Sequence, residues 1–512
     1  MQFNLIDERW IPVILRDGTT TKITPWEVTD QFAENPVVSL DSPRPDFNGA
    51  LIQFLIGLVQ TVAAPQNGTE WRKLLTEPPT PDDLKEKFES VRHAFELGGD
   101  GPRFMQDYDE LDGQAGAIDG LLIDEPGENA LKNNTDFFVK RKSDSFSMCP
   151  NCSTAAVLTL QVNAPAGGRG YMTSLRGGGP LTTLIKGAGL HDLLWHTIWL
   201  NVLEISKFHN LANSQIAEES CKFPWLAKLK STVAEQQMHP AQYFWATPRR
   251  LRLVQETSHG RCSVCSCESE KLISQYKERP NGTKYQEPMK HPLSAFNANS
   301  TKAVLTQSGG VSYRHWLGLV LMDNDGNYEP ARVVHEYIQQ RKRGDWPLQL
   351  WAFGYDFVPG QNKARCWYES TMPLLFVDTQ LRGEYEQQVG GMVRAAAKIA
   401  SNTRSALKRA WFKRPGDAKG DFTFVDSSFW QQTESEFYVS LKNLTDSLET
   451  GKDIKALGNS WMATLCSQAL KLFDTYVWEG PIEDADPKRV VIARKELEQF
   501  NRSNNIRSIL GI

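Results

Sequence analysis

Two widely separated cysteine pairs constrain the fold of this chain more than any other sequence feature. Cys149 and Cys152 enclose two residues, and Cys262 and Cys265 enclose two more, so each pair forms a C-x-x-C knuckle. Four thiolates in two knuckles match the ligand set of a closed, tetrahedral structural zinc site. Because more than a hundred residues separate the pairs, one shared metal would fasten together two loops that are distant in the chain. The sequence therefore predicts a structural zinc that organises a large domain.

The cysteines also admit other interpretations. A lone C-x-x-C can be a redox motif, and Cys267 is an alternative ligand to Cys265. Disulfides are disfavoured because the remaining cysteines form no framework and nothing in the sequence indicates secretion. A catalytic zinc is disfavoured because it keeps one coordination position open for water and usually uses His or carboxylate ligands. A structural zinc held by the four knuckle cysteines is the favoured interpretation.

The composition is that of a soluble globular protein large enough for two or three domains. The chain has 512 residues, of which 40% are hydrophobic and 23% are charged, and its formal net charge is −4. An acidic balance gives no general affinity for nucleic acid, so any such surface must be local. Asp7, Glu8 and Arg9 exclude a signal-peptide core, and the apolar run at 50–64 is too short and polar to cross a bilayer. We expect a cytoplasmic protein with no membrane partner.

Apolar periodicity divides the chain into two parts of different character. Residues 1–374 are predicted to form a mixed α+β domain, and residues 375–512 are predicted to form a four-helix bundle. The predicted elements of the first part include a hairpin at 10–23, a buried helix at 49–62 and a strand at 155–162. The predicted helices of the second part are 378–412, 427–449, 456–479 and 486–502. The expected fold is a zinc-containing α+β domain followed by the bundle.

The sequence contains no strong catalytic motif. It lacks a Walker loop, an H-E-x-x-H helix and a G-x-S-x-G elbow. His191 and Asp192 form a pair of the kind that metal-dependent phosphohydrolases use, but Asp192 more simply favours the first turn of a helix. The glycine clusters at 167–170 and 177–179 either cradle a phosphate through backbone N–H groups or form tight turns. We therefore do not predict an enzyme.

The first predicted C-terminal helix carries a cationic stripe. On a helical wheel, one side holds Arg394, Lys398, Arg404, Lys408 and Arg409. The opposite side holds Met392, Ala396, Ile399, Leu407 and Ala410. The sequence has no acidic residue between Arg394 and Arg414, which favours contact with a phosphate backbone over a merely solvated face.

Two further basic segments adjoin the cysteine knuckles. The segment before the first knuckle contains Phe137, Phe138, Lys140, Arg141 and Lys142. The segment after the second knuckle contains Lys277, Arg279 and Lys284. Aromatic and basic side chains together suit nucleic acid, through stacking and charge. A metal shared by the knuckles would hold these two basic loops side by side.

Four blocks of the sequence carry a family resemblance. They are NLIDERWIPV at 4–13, SLRGGGPLTT at 174–183, GYD at 354–356 and KARCWYE at 363–369. Together with the spaced knuckles and the helical C-terminus, they resemble the CasA-type large subunit of Cascade, the type I-E CRISPR surveillance complex. The resemblance covers nearly the whole chain in the same order. It implies a non-catalytic, RNA-guided antiviral-defence subunit that reads a short protospacer-adjacent motif in double-stranded DNA and promotes R-loop formation.

The resemblance also implies partners and contact residues. The partners are target DNA, the crRNA-containing Cascade subunits and a helicase-nuclease. The implied DNA contacts are Phe138 and Lys140 in the loop before the first knuckle, Gly168, Arg169 and Gly170 in a glycine loop, Lys277 and Arg279 at a lysine finger, and Gln361 or Asn362 as a wedge. The resemblance also implies that the bundle contacts displaced DNA, and the cationic stripe offers Arg394, Lys398 and Lys408 for that contact. Glycine lets the backbone approach the groove floor closely, and Arg169 can enter the minor groove.

Two other functions stay open at this point. A zinc-dependent nucleic-acid hydrolase would cleave nucleic acid as an isolated chain and lose that activity on chelation. A structural assembly protein without DNA contact of its own would leave motif binding unaltered when Lys140, Arg169 and Arg279 are each changed to Ala.

Overall fold

The computed structural model describes most of the chain. The described residues are 2–125, 146–211, 222–229, 238–254, 259–285, 290–297, 302–306, 309–321, 328–341, 346–358, 363–375, 377–417, 420–479 and 486–512. They form two compact units. The first comprises Met1–Thr306 with Ala331–Glu369, and the second comprises Gln307–Pro330 with Ser370–Ile512. The first unit mixes helices with sheets and the second is mainly helical, which confirms the predicted α+β class.

The elements are numbered in chain order. The strands are β1 (Ile11–Leu15), β2 (Thr20–Ile23), β3 (Val37–Leu40), β4 (Gly116–Ala117), β5 (Thr182–Gly187), β6 (Arg250–Val254), β7 (Gly260–Arg261), β8 (Glu268–Ser269), β9 (Gln275–Arg279), β10 (Phe296–Asn297), β11 (Tyr328–Glu329), β12 (Leu348–Phe357) and β13 (Ala364–Pro373). The helices are α1 (Pro45–Val62), α2 (Gly68–Thr76), α3 (Pro81–Glu89), α4 (Pro150–Asn163), α5 (Leu194–Leu200), α6 (Ile205–His209), α7 (Gln242–Trp245), α8 (Trp316–Val320), α9 (Arg332–Glu336), α10 (Arg382–Trp411), α11 (Thr423–Thr450), α12 (Ile454–Tyr476), α13 (Pro487–Asn501) and α14 (Asn504–Leu510).

The N-terminal hairpin is confirmed. Strand β1 pairs with β2 in antiparallel register from Ile11 opposite Ile23 to Ile14 opposite Thr20. The turn contains Gly18 at φ +85°, a conformation that glycine adopts without a steric penalty. Strand β3 joins the other side of β1, so the order is β2-β1-β3. The local turn signal and the apolar alternation thus set this sheet.

The buried helix predicted at 49–62 is confirmed as α1, and the strand predicted at 155–162 is wrong. Residues 155–162 belong to α4, which packs against α1. Pro150 occupies the first helical position, where its missing N–H costs nothing. Since α4 is buried on nearly all sides, its continuous apolar run shows no helical period, and such a run cannot be distinguished from a buried strand by pattern.

Aromatic side chains form much of the core of the first unit. Phe54 of α1 meets the rings of Trp10, Phe95, Phe104 and Trp245 edge to face, at centroid distances from 5.3 to 5.9 Å. Edge-to-face packing of this kind is favoured by the ring quadrupoles. The many tryptophans of the sequence therefore serve the core here.

The family blocks near the end of the first unit pack against α1. The ring of Trp367 lies 2.7 Å from where a Cβ on Gly49 would stand, so only glycine permits this approach. The Tyr355 hydroxyl donates to Asp46 at 2.5 Å, and Arg365 forms an ion pair of 2.6 Å with Asp356. These motif residues therefore make packing, hydrogen-bond and ion-pair contacts that stabilise the first unit.

The second unit contains the predicted bundle helices as α10, α11, α12 and α13, and the short helix α14 follows them. The second unit also includes residues 307–330, which the apolar periodicity assigns to the first part. That segment joins the helices because the Tyr313 ring is buried, stacks on Phe437 at 4.3 Å and hydrogen-bonds Thr433 at 2.8 Å. The proposed boundary between 374 and 375 stays a prediction, since close packing is no test of independent folding.

None of the helices in the described part of the chain combines the length and apolar character that crossing a membrane requires.

Candidate metal centre and nucleic-acid interface

The four knuckle cysteines meet in space. The sulfurs of Cys149, Cys152, Cys262 and Cys265 all lie within 4.8 Å of one another. The Cys149 and Cys265 sulfurs are 3.7 Å apart. Tetrahedral zinc with Zn–S bonds of about 2.3 Å requires sulfur–sulfur distances of ~3.8 Å. The cluster is therefore suited to hold a metal ion such as zinc.

The first knuckle is the N-terminus of helix α4. Cys149 is the N-cap residue, and Cys152 lies in the first turn. The Cys149 N–H donates to the Cys262 sulfur at 3.3 Å. A helix N-terminus presents unpaired N–H groups and positive potential, which favours thiolates as metal ligands.

The second knuckle is the turn between β7 and β8. The Cys262 N–H donates to the Cys267 carbonyl at 2.9 Å, and the Ser266 N–H donates to the Cys262 carbonyl at 2.9 Å. Ser266 adopts φ +61° to close this turn. The turn directs Cys265 into the cluster and leaves Cys267 exposed outside it, so the alternative ligand is set aside.

Backbone hydrogen bonds join the two knuckles before any metal is considered. The Ser263 N–H donates to the Ser147 carbonyl at 2.8 Å. Met148 and Ile273 exchange both of their backbone hydrogen bonds at 2.9 Å. The cysteine centre thus connects the chain preceding α4 to the strand that leads into β9.

Proton sharing among the thiols indicates how the centre would receive a metal. Hydrogen bonds to Cys149, Cys262 and Cys265 raise the pKa of Cys152. Hydrogen bonds from Cys149 and Cys152 lower the pKa of Cys265. A bound divalent cation would replace the shared protons, because ligating thiols are deprotonated.

Strand β9, which begins two residues after Ile273, carries basic side chains. It pairs antiparallel with β6, with Lys277 opposite Arg252 and Arg279 opposite Arg250. Residues directly opposite share a face of the sheet. Four basic residues therefore share one face, which we call the basic sheet face. Lys277 makes no ion pair with any residue that the structure describes.

The glycine loop and the end of β9 contact each other directly. The Asn281 N–H donates to the Gly170 carbonyl at 2.8 Å. Gly170 has φ +87°, and a Cβ there would stand 2.7 Å from Cβ of Pro280. Arg169 is exposed at the tip of this loop. The structure thus brings together two elements that the sequence predicted to contact DNA.

Arg249 supports this junction and was missed from sequence. Its guanidinium pairs with Glu278 at 3.1 Å and donates to the Pro165 carbonyl at 2.6 Å. It also lies over the Tyr171 ring at 5.4 Å from the centroid. Burial raises the pKa of Glu278, and Arg249 opposes that shift. The only sequence signal was the basic run of Arg249, Arg250 and Arg252 at the start of β6.

The second glycine cluster begins with a buried arginine. Arg176 donates to Gln53 at 2.6 Å, Thr182 at 2.9 Å and Ser294 at 3.1 Å. Desolvation lowers the pKa of Arg176 to about 9. These contacts anchor the turn in the core, which favours the tight-turn interpretation over a phosphate cradle.

The stripe on α10 is partly neutralised. The predicted apolar side is buried, and Arg394 and Lys398 are exposed. Arg404, however, forms an ion pair with Asp426, and Arg409 pairs with Glu496 at 3.1 Å. The Lys408 ammonium lies 4.5 Å from the centre of the Phe422 ring.

The remaining predicted residues divide into two groups. Phe138, Lys140, Gln361 and Asn362 lie outside the described residues. The other group is the pair His191 and Asp192. Asp192 forms an ion pair of 3.2 Å with Lys186, and His191 stacks on Trp346 at a centroid distance of 3.9 Å. Within the described ranges, the knuckle cysteines form the sole group of three or more potential ligand side chains that could hold a metal ion, and His191 and Asp192 are not part of it.

The fold and the cysteine centre define a two-unit α+β protein built around a thiolate cluster that joins distant segments. The family described as CRISPR-associated protein Cse1 matches residues 4–472 of its sequence. The chain belongs to this family, which confirms the expected CasA-type membership.

Solved structures share the fold over the full length. Cse1 from Acidimicrobium ferrooxidans is 14% identical, with a TM-score of 0.69 over 100% of this chain and 99% of that one. Thermus thermophilus CasA (Cse1) is 15% identical, with a TM-score of 0.67 over 99% and 100%. A chain of a structure described as a CRISPR RNA-guided surveillance complex is 14% identical, with a TM-score of 0.70 over 98% and 100%.

Proposed function

We propose that this chain is the large subunit of a type I-E Cascade complex, and that it recognises the protospacer-adjacent motif in double-stranded DNA. The observation that carries the proposal is the junction between the glycine loop and β9, made by the 2.8 Å hydrogen bond from Asn281 to Gly170. Family membership and the likeness to a chain of a surveillance complex support the assembly with crRNA-containing subunits.

The chemistry of the junction suits a minor groove. Gly168 and Gly170 carry no side chain, so their backbone can come close to the groove floor. Arg169 and Arg279 supply cations that favour the negative potential of a narrow groove. Minor-groove reading of this kind distinguishes few base-pair patterns, which fits a short motif.

The cysteine centre is proposed to hold structural zinc. Cys149, Cys152, Cys262 and Cys265 would supply four thiolates, which leave no coordination position for a reacting water. Zinc would therefore stiffen the support of the interface and would not take part in hydrolysis. We infer a non-catalytic subunit, and no observation favours the hydrolase alternative.

The remaining roles follow the family expectation. Exposed cations on α10, above all Lys398, are proposed to contact the backbone of DNA as the duplex opens into an R-loop. Gln361 or Asn362 stays the predicted wedge, and Phe138 with Lys140 stays a predicted DNA loop. A helicase-nuclease and a cytoplasmic setting complete the proposal.

The test is motif-dependent binding by the assembled complex. Arg169→Ala and Arg279→Ala are each expected to weaken binding to motif-bearing duplex by about tenfold. Arg72→Ala removes the same charge from an exposed position on α2 and is the matched control. Mobility shifts with and without the motif measure the effect. Wild-type affinity in both interface variants would refute the assigned reading surface and favour an assembly protein.

A further inference from the structure

An acidic loop covers part of the basic sheet face. Residues 107–113 contain three aspartates and one glutamate. In the structure, Asp107 pairs with Arg250 at 2.6 Å and Glu110 pairs with Arg252 at 2.8 Å. The loop continues to Gly113, where an added Cβ would overlap the Arg279 guanidinium. The acidic loop therefore lies against the strand pair that holds the predicted DNA contacts.

Glu110 is exposed to solvent although the two arginines that it contacts are buried. Its side chain is 77% exposed, whereas those of Arg252 and Arg103 are 4% and 11% exposed. One carboxylate oxygen, Oε1, lies 2.8 Å from Nη2 of Arg252 and 3.8 Å from Nη2 of Arg103. Two guanidinium groups thus converge on a single anionic atom that faces solvent.

The two arginines are fixed independently of Glu110. Arg103 donates from Nε to the Gly99 carbonyl at 2.9 Å and from Nη1 to the Leu253 carbonyl at 3.2 Å. Arg252 donates from Nη1 to the Asp107 carbonyl at 2.8 Å. Neutral carbonyls hold these groups in place without cancelling their charge. The positions of both Nη2 atoms are therefore set whether or not a carboxylate occupies the space between them.

The charge at this point is only partly balanced. Glu110 pairs with both buried guanidinium groups, and Asp100 adds a further negative charge near Arg103. Desolvation together with the charge of Arg252 still lowers the pKa of Arg103. The Arg252 Nε is also buried without a hydrogen-bond partner among the described residues. A second negative charge would be favourable here, because buried cations gain most from an anion that also accepts hydrogen bonds.

Asp107 differs from Glu110 in this respect. Its side chain is buried, pairs with Arg250 and accepts a hydrogen bond from the Asp109 N–H at 2.9 Å. Asp107 is therefore a fixed part of the loop. Glu110 can leave its partners by rotating its side chain alone, since most of that side chain already faces water.

We propose that Arg103 and Arg252 form a phosphate-binding subsite, which Glu110 occupies in the free chain and which a backbone phosphate of duplex DNA occupies in the bound state. The inference rests on the proposed function, because Arg252 lies directly opposite Lys277 on the basic sheet face. A phosphate at Nη2 of Arg252 would continue the line of contacts from Lys277. Glu110 is then a competitor that weakens binding to any duplex and carries no sequence information.

The first experiment removes the competitor. Glu110→Gln is expected to strengthen binding of the assembled complex to duplex by up to about fivefold, which matches the strength of one exposed ion pair. The slope of log affinity against log salt is expected to match that of the wild-type complex, since the same phosphate is neutralised in both complexes. Glu86→Gln on α3 removes one exposed negative charge and is the control. The gain should be equal for duplexes with and without the motif.

The second experiment removes the subsite. In an Arg252→Lys background, which keeps the charge and loses the guanidinium with both of its Nη groups, Glu110→Gln is expected to give less than half of its gain. An undiminished gain would show that Glu110 acts through general charge alone and would overturn the subsite. Circular dichroism and unfolding confirm that the variants are folded, and Glu110→Gln itself changes only an exposed side chain.

The outcomes separate this inference from the proposed function. If the wild-type complex binds duplex in a motif-dependent manner and Glu110→Gln behaves like Glu86→Gln, the subsite is wrong and the proposed function stands. If motif dependence is absent in the wild-type complex, the proposed function fails irrespective of the Glu110 result.

Discussion

The basic sheet face and the α10 stripe are both cationic, but the acidic residues that neutralise part of each surface come from different places: one loop for the sheet face and other helices for α10. On the sheet face, cross-strand register groups Arg250, Arg252, Lys277 and Arg279, and the acidic loop covers only part of the group. On α10, the stripe is continuous in sequence, but Arg404 and Arg409 are paired with acidic residues of other helices. Available charge therefore depends on which acidic residues the fold brings near, and the local sequence does not show it.

The largest expected effect concerns the cysteine centre, which lies in the same unit as the basic sheet face. Cys262→Ser is expected to abolish stoichiometric zinc and to lower the free energy of unfolding by several kcal/mol, because metal binding is coupled to folding. Cys267→Ser changes the exposed neighbouring thiol and should do neither. Metal analysis by mass spectrometry and denaturant unfolding measure the two effects. Full zinc content in Cys262→Ser would contradict the four-thiolate centre.

The next effect tests the glycine-loop junction. Gly170→Ala and Gly168→Ala both place a Cβ at positive φ, but only the Cβ on Gly170 meets Pro280, at 2.7 Å. The difference between the two variants should be about 1–3 kcal/mol in unfolding free energy, the usual cost of overpacking. We expect Gly170→Ala also to lose more motif-dependent binding than Gly168→Ala. Equal behaviour of both variants would show that the junction does not shape the interface.

The smallest expected effect is the difference in salt slope between substitutions at two positions of the α10 stripe. Lys398→Gln should reduce the salt slope of binding by about 0.9 for all duplexes if this residue contacts one phosphate. Lys408→Gln should reduce it less, because its ammonium already lies over the Phe422 ring, and should lower unfolding free energy by about 0.5–1 kcal/mol. Titration of affinity against salt, with thermal unfolding alongside, checks both. A larger slope change for Lys408→Gln than for Lys398→Gln would show that Lys408, and not Lys398, is the residue available to contact a phosphate.

Much of the fold could be predicted from sequence because its signals are local. The hairpin at β1 and β2 follows from a turn residue and apolar alternation, and the bundle helices follow from their period and their breakers. The α4 segment was mistaken for a strand because burial on nearly all sides removes the period. The periodicity of apolar residues reports secondary structure only when one face of the element is exposed, and this helix has almost no exposed face.

The candidate site was predictable only in part. The four cysteines were identified because metal ligation demands a particular residue type at a particular spacing, whatever the fold around it. Arg249, Glu110 and Arg103 were missed because each also has a partner far away in the chain, Pro165, Arg252 and Leu253 respectively, and a single charged residue carries no sign of such a partner.

The sequence by itself determined the family, the four cysteines of the candidate metal centre and the helices of the second unit, since motif spacing and apolar periodicity are properties of residues close together in the chain. The tertiary structure alone decided that Gly170 meets Asn281, that Arg404 and Arg409 are paired, and that Glu110 closes the space between Arg103 and Arg252. The physical reason is that electrostatic and steric interactions depend on distance in space. Folding sets that distance between residues that the sequence leaves as much as 309 positions apart.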